Sequence, residues 1–187
     1  YADRNGTYGL STLRRRHMDI DNGTISFEFK GKSNKVREVT IDDPKLTRLI
    51  KKSAELPGYE LFRYKVTANH YESIDSEDVN DYIHKYIGDN FSSKDFRTWV
   101  ATRMAVELYP QAKALKEEFP RRKFSNILIK LVADELGNTP SVCKSYYVHP
   151  VIMRHIEDQN LPSYKRYKEG DNSYDLSPSE KLILNIV

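Results

Sequence analysis

At Asp43-Pro44 the spacing of apolar residues changes, and that change restricts the chain to an α+β fold. Before it, side chains alternate with period two. Residues 17–20 alternate, Asp21-Asn22-Gly23 signals a tight turn, and Ile25, Phe27 and Phe29 share one face of the next run. Residues 31–35 read as a second turn, and 36–41 alternate again. A three-stranded antiparallel meander is predicted over about 15–41, with Lys32 in its second hairpin tip. After Pro44 the pattern is helical, and Leu46, Leu49 and Ile50 fall at helical spacing before Pro57-Gly58. Leu61-Phe62-Arg63-Tyr64 is a short extended piece. Residues 76–87 put Val79, Tyr82, Ile83 and Tyr86 on one helical face and end at Gly88. Ser92-Ser93 open a long helix with Phe96, Trp99, Val100, Met104 and Val106 on or near its apolar face, and a loop is expected around Pro110. A helical body over about 44–158 therefore follows the meander. A polar segment and a final helix, opened by Ser177-Pro178-Ser179-Glu180, occupy 159–187.

Composition narrows the function classes. Hydrophobic residues at 39% and charged residues at 30% describe a globular chain, not a disordered one. No apolar run approaches the ~20 residues that span a bilayer, so no membrane partner is expected. Tyr1-Ala2-Asp3-Arg4 lacks the apolar core of a signal peptide, and a cytoplasmic, nucleoid-associated protein is the expectation. The single cysteine, Cys143, excludes an internal disulfide and a cysteine-based zinc site. His149 and His155 are six residues apart, which fits neither common metal spacing on a helix; no metal or other cofactor is expected. Gly31-Lys32-Ser33 resembles the end of a phosphate-binding loop. Ser26 stands where that motif needs its first glycine, and a strand follows where it needs a helix, so no nucleotide is expected. The net charge is only +3, but basic residues cluster at Arg14-Arg15-Arg16, at Lys30 to Arg37, at Lys51-Lys52, at Arg121-Arg122-Lys123 and at Lys165-Arg166. Acidic residues gather elsewhere, as in 75–81, and this segregation points to a polyanionic partner.

One stretch concentrates the chemistry. An apolar helical run over 127–136 stops at Gly137, a C-cap position, and Thr139-Pro140 supplies the N-cap and first-turn proline of another helix. Asn138 lies at this junction, nine residues before Tyr147. On spacing alone, an ordinary helix–turn–helix with a core tyrosine is the favoured reading.

The stretch Gly137-Asn138-Thr139-Pro140, with Tyr147 nine residues after Asn138 and Val148-His149-Pro150 behind it, resembles the nucleophile segment of type IB DNA topoisomerases of the bacterial and poxvirus kind. Three further stretches resemble that family in its own order: residues 8–17 (Tyr-Gly-Leu-Ser-Thr-Leu-Arg-Arg-Arg-His), Phe29-Lys30-Gly31-Lys32, and Lys94-Asp95-Phe96-Arg97-Thr98-Trp99. The resemblance implies a tyrosine recombinase/type IB topoisomerase-like catalytic domain that acts on duplex DNA, as a monomer by default. A phenol, with a usual pKa near ~10, must attack phosphorus, and fixed donors must hold the charge that develops there. By resemblance Tyr147 is the nucleophile, Arg97 clamps the phosphate, Lys32 protonates the leaving 5′-oxygen and Asn138 binds a non-bridging oxygen where many relatives carry histidine. Lys94 is a supporting cation, and Arg14, Arg15 and Arg16 are phosphate contacts or surface residues. The outcome implied is ATP- and metal-independent nicking, strand rotation and religation.

One departure and two rivals accompany that reading. The family carries another essential arginine shortly upstream of the stretch that begins at Tyr8, and a small N-terminal clamp domain; neither is in this sequence. The expectation is a fragment of the catalytic domain, weak or inactive alone. A tyrosine recombinase is the nearest alternative, but Lys94 stands where its histidine belongs and Gly137-Asn138-Thr139-Pro140 follows the topoisomerase form. A non-catalytic DNA-binding module is the other.

Overall fold

In the computed structural model, which describes residues 6–31, 34–170 and 175–187, the predicted meander lies before Pro44 and the chain after it is mainly helical, with one further hairpin. The structure is 55% helical, with small antiparallel sheets, and so is a mainly helical α+β fold. It divides into two compact units, Tyr1–Phe91 and Ser92–Val187.

In the first unit, β1 (Met18–Asp21), β2 (Thr24–Lys30) and β3 (Val36–Ile41) pair antiparallel in the order β1-β2-β3. Asn22 and Gly23 adopt the positive φ (47° and 90°) that the tight β1–β2 turn requires. Pairing Phe27 with Met18 and Val39 fixes the register, and burial of Ile25 and Phe27 makes a one-residue slip costly because it would turn both to solvent. Helix α1 (Pro44–Ala54) starts at Asp43, whose carboxylate accepts from the amides of Lys45 (2.7 Å) and Leu46 (3.0 Å). Of its apolar residues only Ile50 is buried; it joins Leu13, Ile25, Phe27 and Leu61 in this unit's core.

Sequence pattern did not anticipate everything here. The extended piece near Leu61 is the start of a hairpin, β4 (Arg63–Thr67) and β5 (His70–Ser73). The second strand, His-Tyr-Glu-Ser, carries too little apolar alternation to be seen. In α2 (Ser76–Ile87), Ile83 is buried, but Tyr82 and Tyr86 are exposed and pack on each other with ring centroids 4.5 Å apart. The covered stripe of this helix is narrower than its apolar spacing predicts.

The second unit is helical: α3 (Ser93–Glu107), α4 (Tyr109–Glu118), α5 (Phe124–Leu136), α6 (Pro140–Val142), α7 (Pro150–Glu157) and α8 (Pro178–Ile186). No loop surrounds Pro110; it sits in the first turn of α4, where its missing N–H has no helical partner to lose. Helix α3 buries Ala101, Thr102, Ala105 and Val106, while Phe96 is exposed. Small side chains at 101 and 105, one turn apart, allow close approach of neighbouring backbones. Helix α5 is the spine of the core, with Leu128 and Val132 fully buried against Ile152, Ile156, Leu182 and Ile183. Among the described residues no helix is long and apolar enough to cross a membrane.

Candidate active site

Helix α5 ends because Gly137 turns left-handed (φ 67°, ψ 38°). The Asn138 amide then returns to the Ala133 carbonyl at 2.9 Å, closing the helix end. That reversal leaves Asn138 buried, 7% exposed, and its Nδ2 has no hydrogen-bond partner among the described residues. A buried amide without a partner costs about 1–3 kcal/mol, so its retention calls for a reason beyond packing.

Thr139 starts the next helix as expected, its Oγ1 accepting from the Val142 amide at 3.4 Å, with Pro140 in the first turn. The helix regular in α geometry is a single turn, Pro140–Val142, and the chain then widens into a π-helical turn, Cys143–Tyr147. The Val148 amide bonds the carbonyl five residues back, on Cys143, at 3.0 Å. The neighbouring tyrosines separate: Tyr147 is half-buried against the core, and Tyr146 is 63% exposed. Cys143 is fully buried at the base of the turn; burial pushes its thiol up, and the nearby Arg97 charge pulls the other way.

Arg97 comes to the same place from α3. The start of that helix is fixed by Asp95, whose carboxylate accepts from the Ser92 hydroxyl and amide, both at 2.8 Å. Those bonds, the hydroxyl first, hold the Asp95 carboxyl below its usual range. One turn on, the exposed Arg97 guanidinium donates to the Leu136 carbonyl at 3.2 Å and lies 5.6 Å from the centre of the Tyr147 ring. Arg97, Asn138 and Tyr147, up to 50 residues apart in sequence, thus meet at one helix junction. Lys94, a turn earlier, lies 5.7 Å over the ring of Tyr146, not Tyr147. A guanidinium fork, a buried amide donor and a phenol within one small region can bind a tetrahedral oxyanion and present a nucleophile to it.

Lys32 lies outside the described residues. The three consecutive arginines Arg14, Arg15 and Arg16 have different surroundings. Arg15 donates to the carbonyls of Leu56 and Gly58, the latter at 2.8 Å, and so holds the loop after α1. Arg16 is exposed and donates to the Tyr8 hydroxyl at 2.7 Å; Arg14 lies 5.5 Å from the Tyr8 ring centre and pairs through its backbone with Glu60. His149 caps α7 by accepting from the Val151 amide at 3.3 Å, a structural role.

Two features escaped the sequence reading. The Trp99 indole donates to Glu180 at 2.8 Å and the Ser179 hydroxyl to Glu107 at 2.7 Å, which ties α8 to the helix that carries Arg97. Thr102, 2% exposed, accepts from the His149 amide at 3.0 Å beside the tyrosine turn. A threonine in a run of apolar and small residues gives no signal of such a role.

The profile of a family described as "Eukaryotic DNA topoisomerase I, catalytic core" matches residues 1–172. A protein named DNA topoisomerase 1B from Acanthamoeba polyphaga mimivirus is 32% identical over 155 residues, covering 79% of this chain and 46% of the viral protein. A protein of the same name from Vaccinia virus (strain Copenhagen) is 28% identical over 167 residues, 86% of this chain and 49% of its own length. The DNA topoisomerase 1 of Rabbit fibroma virus is 25% identical over 157 residues, 83% and 47% respectively. The chain spans about half the length of these relatives.

Proposed function

Because this chain belongs to the DNA topoisomerase I catalytic-core family, we propose that it carries the strand-cutting centre of a type IB enzyme. Tyr147 Oη attacks a phosphodiester of one strand of duplex DNA. The O5′–phosphorus bond breaks as the tyrosyl oxygen–phosphorus bond forms, leaving a 3′-phosphotyrosyl link and a 5′-hydroxyl. Arg97 holds the non-bridging oxygens through its two-donor fork, and the Asn138 Nδ2 donates to one of them as charge accumulates. The departing oxygen takes a proton, and the motif assigns that role to Lys32, with Lys94 adding positive charge. One phosphoester replaces another, so the energy of the cut bond is conserved. The free 5′-hydroxyl reverses the step after strand rotation, and neither ATP nor a metal ion is consumed.

The observation that carries this reading is the convergence of Arg97 on Tyr147, with its guanidinium 5.6 Å from the ring centre and bonded two residues before the unpartnered amide of Asn138. It favours Tyr147 over Tyr146, whose ring faces Lys94.

The test uses nicked duplex DNA that traps the covalent state, incubated with the intact natural polypeptide in EDTA without ATP and resolved on a denaturing gel. An adduct is expected that Tyr147→Phe abolishes and Tyr146→Phe leaves in place. Salt-sensitive binding with no adduct would leave a DNA-binding module and overturn the enzymatic reading.

A further inference from the structure

The tyrosine segment needs something to fix it along the chain as well as across it. A π turn closes fewer backbone bonds per residue than regular helix, and it is followed by extended Val148 (φ −82°, ψ 127°). The His149 amide, just past the turn, has no partner within the segment. One buried hydroxyl supplies it. Thr102 Oγ1 accepts from the His149 N–H at 3.0 Å and donates to the Thr98 carbonyl at 2.8 Å, one turn back in α3. The same oxygen lies 3.4 Å from the carbonyl of Tyr147. A threonine hydroxyl has one proton, and rotating it moves the donor from Thr98 to Tyr147 while the His149 bond stays.

We propose that Thr102 is a positioning residue for the tyrosine, a latch that sets the backbone of Tyr147 against the helix that carries Arg97. Thr102 lies five residues after Arg97 on α3, so the phosphate clamp and the latch share one rigid element. Thr102 sets the attack distance without touching the phosphate itself. Misplacing a nucleophile by about 1 Å can lower a rate about 10²-fold, and losing this hydroxyl removes the hydrogen bond that ties the His149 amide, just past the turn, to α3. The flanking contacts do not replace it: Val148 is held by packing, and the His149 ring is engaged in capping α7. The inference rests on the proposed role of Tyr147.

The experiment compares Thr102→Val, which keeps shape and burial but removes the hydroxyl, with Thr102→Ser, which keeps the hydroxyl. Ile129→Val serves as a control for general loosening of the same core. Each is measured in the intact natural polypeptide for single-turnover adduct formation at saturating protein, for DNA affinity and for thermal midpoint. Expected is a fall of about 10- to 100-fold in adduct formation for Thr102→Val at near-unchanged affinity. Thr102→Ser should stay close to the unsubstituted rate, and Ile129→Val should lose stability without losing rate. Equal rates for Thr102→Val and the unsubstituted protein overturn the latch, as does an equal loss in Thr102→Ser or in Ile129→Val. If Thr102→Val does not fold, Thr102→Ala is read by the same criteria. No adduct from the unsubstituted protein would instead overturn the proposed function and this inference with it.

Discussion

Given the role proposed for Arg97, its replacement by alanine in the intact natural polypeptide should leave the second unit folded and remove most of the proposed strand-cutting rate. The structure bounds the first effect, and the proposed chemistry the second. Arg97 is exposed; among the described residues it donates a hydrogen bond to the Leu136 carbonyl at 3.2 Å and lies 5.6 Å from the centre of the Tyr147 ring. An exposed cation–π contact contributes about 0.5–1 kcal/mol, and water can replace the long carbonyl bond, so the loss in stability is about 1 kcal/mol. For a unit of this size that lowers the thermal midpoint by about 4–8 °C. Removing a fixed donor from the developing charge lowers the rate by about 10²–10³, or ~2.7–4 kcal/mol in the barrier. The barrier effect therefore exceeds the stability effect about threefold. Arg97→Lys keeps the charge but not the two-donor fork and should recover only part of the rate. Single-turnover adduct formation gives the rate, and the fluorescence of Trp99, the single tryptophan, gives the unfolding midpoint. Rates within about 3-fold of the unsubstituted protein would refute the reasoning, as would a midpoint drop large enough to account for the lost activity.

Gly137→Ala places a Cβ in the left-handed region (φ 67°) and should cost about 1–2 kcal/mol in urea unfolding. It should also slow adduct formation, because the Gly137 turn is what directs Asn138 inward; an unchanged rate would detach Asn138 from the chemistry. The Glu180 carboxyl is subject to burial, which alone would raise its pKa, but bonds from the Ser177 amide, the Trp99 indole and the Ser177 hydroxyl outweigh burial and hold it below its usual value. A lowered folded pKa means that its contribution is complete above the unfolded value near 4.5 and is lost as pH falls through the folded one. Thermal midpoints of Glu180→Gln should therefore lie below those of the unsubstituted protein at pH 7 and converge with them in acid. Parallel curves across that range would show that the carboxylate makes no such contribution.

The extent to which the site was legible differs from residue to residue. The helix end at Gly137, the Thr139 cap and Pro140 follow from short-range rules and were readable in advance. The family spacing pointed to Tyr147, not Tyr146, as the nucleophile; that Tyr147 is half-buried against the core while Tyr146 is exposed, and that both lie in a π turn, leaves no mark in the apolar pattern. Arg14, Arg15 and Arg16 are indistinguishable as a run of like charges. Only the fold gives Arg15 to two backbone carbonyls and leaves Arg16 exposed.

The sequence by itself determined the elements: the meander from period-two alternation and its tight turn, the helices from caps at Asp43, Ser92, Thr139 and Ser177, and the membership of the motifs in one family. The caps and the tight turn are settled by interactions within about four residues, which a linear text contains. Tertiary structure alone decided which faces were covered and which distant groups met. It buried Ala101 and Ala105 instead of Phe96, left Tyr82 and Tyr86 outside, paired Trp99 with Glu180 across 81 residues, and brought Thr102 to the His149 amide across 47. Those outcomes depend on how close two backbones can approach and on which buried polar group remains to be satisfied, and neither quantity exists until the helices are packed.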